Sequence, residues 1–182
     1  MKLPAHQLLL THLLRADQSM TLLINRTLKW RTIRPFFRFI SGLGDGKLWY
    51  ILMSGCAVFG GLRGIIAALQ MGLTALVTLL SYKLVKGATQ RPRPGAVHAA
   101  VREGIDPLDE YSFPSGHTMQ AAAFTLIASA WYPGLAPILI PFTALTGLSR
   151  IVLGLHYPTD VLLGACFGTL IGYMSLVLWA VT

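Results

Sequence analysis

Charge is scarce in this chain, and negative charge scarcest. Of 182 residues only 7 are Asp or Glu, and the four charged types together make up 12%, about half of what a soluble globular domain carries. That excludes an ordinary water-soluble domain. With 54% hydrophobic residues and a mean hydropathy of +0.60, the chain is also too apolar to be disordered or collagen-like. Cysteine is nearly absent: Cys56 and Cys166 each sit inside a long apolar run, where a thiol acts as a small buried hydrophobe rather than half of a bridge. The N-terminal residues lack the pattern of a secretory signal, because Arg15 and Asp17 interrupt the only early apolar stretch. Membrane insertion is therefore expected to rely on internal segments. Internal repeats and low-complexity tracts are absent from the sequence.

What is there is a series of apolar runs near the roughly 20 residues that a spanning helix needs. Five are expected, at residues 47–62, 64–82, 115–132, 135–148 (reaching toward 153) and 160–181. Arg63 and its flanking glycines turn the first into the second, and Pro133-Gly134 ends the third. Trp49, Trp131 and Trp179 fall at span ends, where amphipathic rings favour the headgroup level. Ahead of the spans, residues 20–40 mix Arg26, Lys29, Arg31, Arg34 and Arg38 with large apolar side chains. Such a segment crosses a bilayer only at high cost but lies readily along its interface, and Pro35 is expected to break it in two. The predicted fold is all-α: an integral membrane helical bundle of about five transmembrane helices, a single domain over residues 1–182. An interfacial amphipathic segment (1–46) precedes the bundle (47–182).

If the spans alternate, residues 20–40, 83–114 and 149–160 share one membrane face. Arg63 and the Pro133-Gly134 turn are left on the other. The 15 Lys and Arg residues gather mostly in two blocks, 26–47 and 83–102, between apolar runs. That distribution suits lipid phosphates better than a duplex, so a phosphate-bearing membrane lipid, and not nucleic acid, is the expected partner. The polar connection 95–113 carries Glu103, Asp106, Asp109 and Glu110, expected to be solvated, as charge runs usually are. His6, His12 and His98 are expected to be solvated too.

Three stretches on the shared face hold polar side chains that lipid would otherwise exclude. In residues 86–94, Lys86 offers a compact ammonium and Arg93 a planar fork able to grip two phosphate oxygens, while Pro92 and Pro94 stiffen the backbone. Alone, this reads better as a stop-transfer or snorkelling cluster beside the second span. In residues 114–117, Ser115 reads as an N-cap, Gly116 leaves first-turn N–H groups unshielded for an anion, and His117 is placed to give or take a proton. In residues 149–160, Arg150 at the end of an apolar run calls for an anionic partner. His156 and Asp160 share a face if a helix begins at Pro158, so that a carboxylate on one ring nitrogen leaves the other free as nucleophile or base. As a metal pair these two would need further ligands, which no nearby spacing supplies.

The ordered set Lys86-x6-Arg93-Pro94, Pro114-Ser115-Gly116-His117 and Ser149-Arg150-x5-His156-x3-Asp160 resembles the three-part signature of the phosphatidic acid phosphatase type 2 superfamily, without a substitution. That superfamily includes membrane lipid phosphatases and soluble haloperoxidases. The resemblance implies a hydrolase of lipid phosphomonoesters or diphosphates that needs no metal or other cofactor and works through a phosphohistidine. It makes His156 the nucleophile, Asp160 its orienting partner and His117 the acid and later the base. Lys86, Arg93, Arg150, Ser115 and the Gly116 amide would hold the phosphoryl oxygens.

Undecaprenyl diphosphate, phosphatidylglycerol phosphate and phosphatidate are the substrates such a resemblance brings into view. A lipid-to-lipid phosphotransferase, acting for example on lipid A, would share the same chemistry up to the acceptor. A catalytically silent lipid-phosphate binder is the reading from another class, and the presence of His117, His156 and Asp160 together weighs against it. The positive-inside rule would set the shared face in the cytoplasm, whereas the resemblance sets it outside. Because phosphate binding accounts for Lys86, Arg93 and Arg150, the expected location is a bacterial inner membrane with the active site on its extracytoplasmic face.

Overall fold

In a computed structural model, which describes residues 5–107 and 109–180, the chain is helical nearly throughout and holds no strand among the described residues, only an isolated bridge between Pro92 and Tyr111. The helices are α1 (Ala5–Asn25), α2 (Ile33–Gly42), α3 (Leu48–Phe59), α4 (Gly61–Thr89), the single turn α5 (Pro94–Val97), α6 (Gly116–Trp131), α7 (Ala136–Val152) and α8 (Pro158–Ala180). The segments Gly61–Thr89, Pro133–Val152 and Pro158–Trp179 are long and apolar enough to cross a membrane. The other two expected spans are shorter, 12 residues in α3 and 16 in α6. Val181, the expected end of the last span, lies outside the described residues.

The bundle is built around α6, which is small and apolar on several faces: Ala121, Ala123, Phe124 and Ile127 are fully buried. Its closest neighbour is α8, whose Gly168 faces the α6 backbone so tightly that an added Cβ would stand 2.0 Å from the Met119 carbonyl oxygen. Close approach of this kind through small residues is how membrane helices gain packing contact without a hydrophobic drive. On the other side of α6, Trp49 packs edge-on against Phe124 and Phe142. Trp49 is completely buried, so its expected place at the headgroup level is corrected: the ring is the largest core side chain. Trp131 turns inward as well, donating its indole N–H to Gln70 Oε1 at 2.6 Å.

The N-terminal segment departs most from expectation. The chain does not break at Pro35, which sits in the first turn of α2, where a missing N–H costs nothing. The break falls earlier, in the short 3-10 helix Arg26–Lys29 and the turn after it. The five bases of residues 26–38 are exposed, as an interfacial segment requires. Yet Leu28 and Phe37 are buried in a cluster with Val152, Leu153 and Leu155, and the Asn25 side chain bonds Val152 and Arg102 backbone groups at 2.8–2.9 Å. The segment is thus part of the fold, clamped over the α7–α8 turn. In that turn Gly154 has φ +75 and lies 2.7 Å, at its would-be Cβ, from the Arg102 carbonyl oxygen, so only glycine fits.

Smaller expectations also change. Cys166 is exposed on the outer face of α8, not buried. His12 is exposed as expected. His98 is half-buried, with Nε2 enclosed and without a hydrogen-bond partner among the described residues, rather than solvated. The side chain of His6 lies outside the described residues.

Candidate active site

The three polar stretches converge at one end of the bundle. Lys86 comes from the last turn of α4, Gly116 and His117 from the first turn of α6, Arg150 from the last turn of α7, and His156 from the α7–α8 turn. With Arg93 they line a cavity of about 520 Å³, whose rim includes Tyr50, Tyr82 and Lys83. Arg63, Trp131 and Tyr132 come together at the opposite end.

Local sequence explains each placement. Gln90, in the left-handed region at φ 46, ends α4, and Pro92 and Pro94 keep the next residues out of a long helix. The Ser112 N–H then bonds the Arg91 carbonyl at 2.8 Å, folding the end of the 98–115 connection back over Arg93. Ser115 is the N-cap residue of α6 by backbone, but its hydroxyl is 2.9 Å from that of Thr118 and makes no capping bond. The first-turn N–H groups of α6 have no partner within the helix, and Gly116 presents that turn to the cavity. Ser115 and Asp160 stand behind the cavity wall, joined by a 3.1 Å bond from the Ser115 N–H to the Asp160 carbonyl.

His156 is buried, with Nδ1 3.6 Å from Asp160 Oδ2, in van der Waals contact and beyond a hydrogen bond, and Nε2 3.5 Å from an Arg93 nitrogen. Asp160 is held from elsewhere: Oδ2 accepts the Tyr157 N–H at 2.8 Å and Oδ1 accepts from Arg91 at 2.6 Å. Burial, with the positive charges of Arg150, Arg93 and Lys86 behind it, holds the His156 imidazole well below its ordinary pKa. A neutral ring with a lone pair beside three cations is suited to attack an anionic phosphorus centre, since the cations neutralise the charge that would otherwise repel it.

Sequence reasoning missed a second layer of residues. Arg91 bridges two buried carboxylates, Asp160 and Asp17, at 2.6 Å each, and its guanidinium lies 4.1 Å over the Tyr157 ring. Asp17 further accepts the Thr159 N–H at 3.0 Å and the Thr159 hydroxyl. Ser41 accepts from Arg150 at 2.5 Å, and Asp45 Oδ1 is 2.9 Å from His117 Nε2. Asp17, Ser41 and Asp45 come from α1, α2 and the turn after α2, in the segment expected to serve only as an anchor. The expectation for Asp109 is only half right: it is exposed, as a solvated side chain would be, but it also takes Lys86 on both oxygens and Arg93 on one, all at 2.6 Å. Burial opposes its ionisation, but the bonds and charges of Lys86 and Arg93 prevail and hold its carboxyl below the usual range. The one signal in the sequence is composition: acids are scarce, 7 in the chain, so each calls for a reason.

The profile of the PAP2 superfamily matches residues 66–181. Decaprenylphosphoryl-5-phosphoribose phosphatase of Mycobacterium tuberculosis is 38% identical over 105 residues, 57% of this chain and 56% of that one. Undecaprenyl-diphosphatase BcrC of Bacillus subtilis is 32% identical over 117 residues, 64% of this chain and 60% of that one. The matched region thus spans little more than half the length of these curated relatives. Among solved structures, LpxE of Aquifex aeolicus superposes with a TM-score of 0.71 at 27% identity, covering 87% of this chain and 93% of that one. With most of its length matched by the family's profile and the three motifs gathered at one cavity, the chain belongs to the PAP2 superfamily.

Proposed function

We propose that the protein is an integral membrane lipid phosphatase, hydrolysing a terminal phosphomonoester or diphosphate on a lipid through a phosphohistidine, without a metal. The observation that carries this reading is the meeting of Lys86, Arg93, Arg150, His117, His156 and Gly116 around one cavity. His156 attacks through Nε2, since Nδ1 is turned to Asp160. An N–P bond forms as the P–O bond to the leaving group breaks, and His117 gives its proton to the departing oxygen. Water then attacks phosphorus on the opposite face of the N–P bond, losing a proton to His117, and inorganic phosphate leaves with His156 restored. Lys86, Arg93, Arg150 and the α6 N-terminus hold the phosphoryl oxygens throughout, the part of phosphoryl transfer that a protein can supply.

Two relatives bear names built on polyprenyl chains, which favours a polyprenyl phosphate or diphosphate over a glycerolipid. We set the active site on the extracytoplasmic face of a bacterial inner membrane, as the family resemblance implies; its cations serve phosphate and are not topology signals. Phosphate release by the detergent-solubilised protein, with excess chelator, is the test. The substrates are undecaprenyl diphosphate, phosphatidylglycerol phosphate, phosphatidate and lipid A, with His156→Ala alongside. Release that survives chelation and disappears in the variant is expected; near-normal turnover by a folded His156→Ala protein would sink the phosphohistidine.

A further inference from the structure

Lys86 and Arg93 are almost fully buried, and two buried cations side by side are costly without a counter-charge. The charge is supplied from the 98–115 connection. Asp109 receives Lys86 on both oxygens and Arg93 Nη2 on Oδ1, while Arg93 Nε binds the Asp109 carbonyl at 2.7 Å. This is the bonding that phosphoryl oxygens would make with the same two side chains. Unlike Asp17 and Asp160, which are sealed in, the Asp109 side chain is 39% exposed and lines the cavity. It therefore has water to turn into when something else takes its place.

We propose that Asp109 is a specificity-determining residue: its carboxylate fills the Lys86–Arg93 subsite until a doubly charged terminal phosphate displaces it, and so keeps out the singly charged phosphodiester headgroups of the surrounding bilayer. The proposal rests on the reading above, in which Lys86 and Arg93 hold substrate oxygens. A phosphodiester carries one negative charge and offers the two cations no more than Asp109 already does, while Asp109 has the advantage of being tethered. A terminal phosphate carries about −1.5 to −2 at pH 7. It brings additional charge for Arg150, whose buried guanidinium has, among the described residues, the neutral Ser41 hydroxyl as its one side-chain hydrogen-bond partner. Without Asp109, the most abundant phosphates in a membrane would compete with the rarest.

The test uses the purified full chain in mixed micelles and reads two quantities in wild type, Asp109→Asn and Asp109→Ser. One is the affinity for inorganic phosphate, by calorimetry and by product inhibition. The other is inhibition of phosphate release by phosphatidylglycerol added to the micelles. Removal of the carboxylate is expected to tighten phosphate binding about tenfold, some 1.4 kcal/mol, and to make phosphatidylglycerol a competitive inhibitor where wild type ignores it. Weaker phosphate binding with continued indifference to phosphatidylglycerol, or failure of both variants to fold, gives Asp109 a structural role and overturns the proposal. A wild-type protein that neither releases nor binds phosphate would overturn the functional reading itself, and this inference with it.

Discussion

His156 is buried beside three cations, and that setting fixes the sign of its pH response. Its folded-state pKa is lowered, so the ring stays neutral, and available as a nucleophile, at pH values where a free imidazole of pKa about 6.5 would be protonated. The acid limb that His156 contributes is expected well below pH 6.5, and a pH profile of kcat at saturating substrate separates it from the titration of the free substrate phosphate, whose second pKa is about 6. The same shift costs stability in acid. Below about pH 6.5 the unfolded chain takes up a proton that the folded one refuses, so stability falls as pH falls, which urea titrations at pH 7 and pH 5 would register. His117 has a different signature. If it protonates the leaving oxygen, His117→Ala should slow a lipid phosphate by about 10²- to 10⁴-fold yet slow an aryl phosphate, whose leaving group needs no proton, far less. Equal losses on both substrates would remove His117 from that role.

Among the elements, α8 against α6 and α1 against the α7–α8 turn matter most. Gly168→Leu drives a side chain into the α6 backbone; overpacking of about 3 kcal/mol corresponds to a fall of roughly 6–12 °C in unfolding temperature for a chain of this size, measurable by thermal unfolding in detergent. Asp17→Asn leaves Arg91 with Asp160 alone and lets the guanidinium pull that carboxylate away from His156. A drop of about tenfold in kcat with KM nearly unchanged is expected, since Asp17 does not line the cavity; a change in KM alone would assign it to substrate binding. The motif residues were legible because each stretch is contiguous and its chemistry is out of place beside lipid. Asp17, Ser41, Asp45 and Asp109 were not, because each acts on a partner far away in the chain, 74 positions from Asp17 to Arg91 and 72 from Asp45 to His117. Trp49 was misplaced for a related reason: a tryptophan at the start of a span has the same local pattern whether its ring faces headgroups or the core.

Across the whole molecule, the candidate site draws on more of the chain than the family's matched segment. Residues 66–181 contain the motifs, yet Asp17, Ser41 and Asp45 fasten Arg91, Arg150 and His117 from outside it, and Leu28 and Phe37 cover the turn that carries His156. Removal of residues 1–46 should therefore abolish turnover even when the remaining helices insert into a membrane, as an activity assay on the membrane fraction would show. The cavity at the end of the bundle also has a consequence for what the proposed phosphatase can perceive. About 520 Å³ is room for a headgroup and the first few carbons behind it, within the usual range for a small-molecule site, and it leaves the rest of a long lipid in the bilayer. Such a site has no ruler: it reads the phosphate end of its substrate and is blind to where the hydrocarbon stops, so polyprenyl phosphates of very different length should be consumed at nearly the same rate.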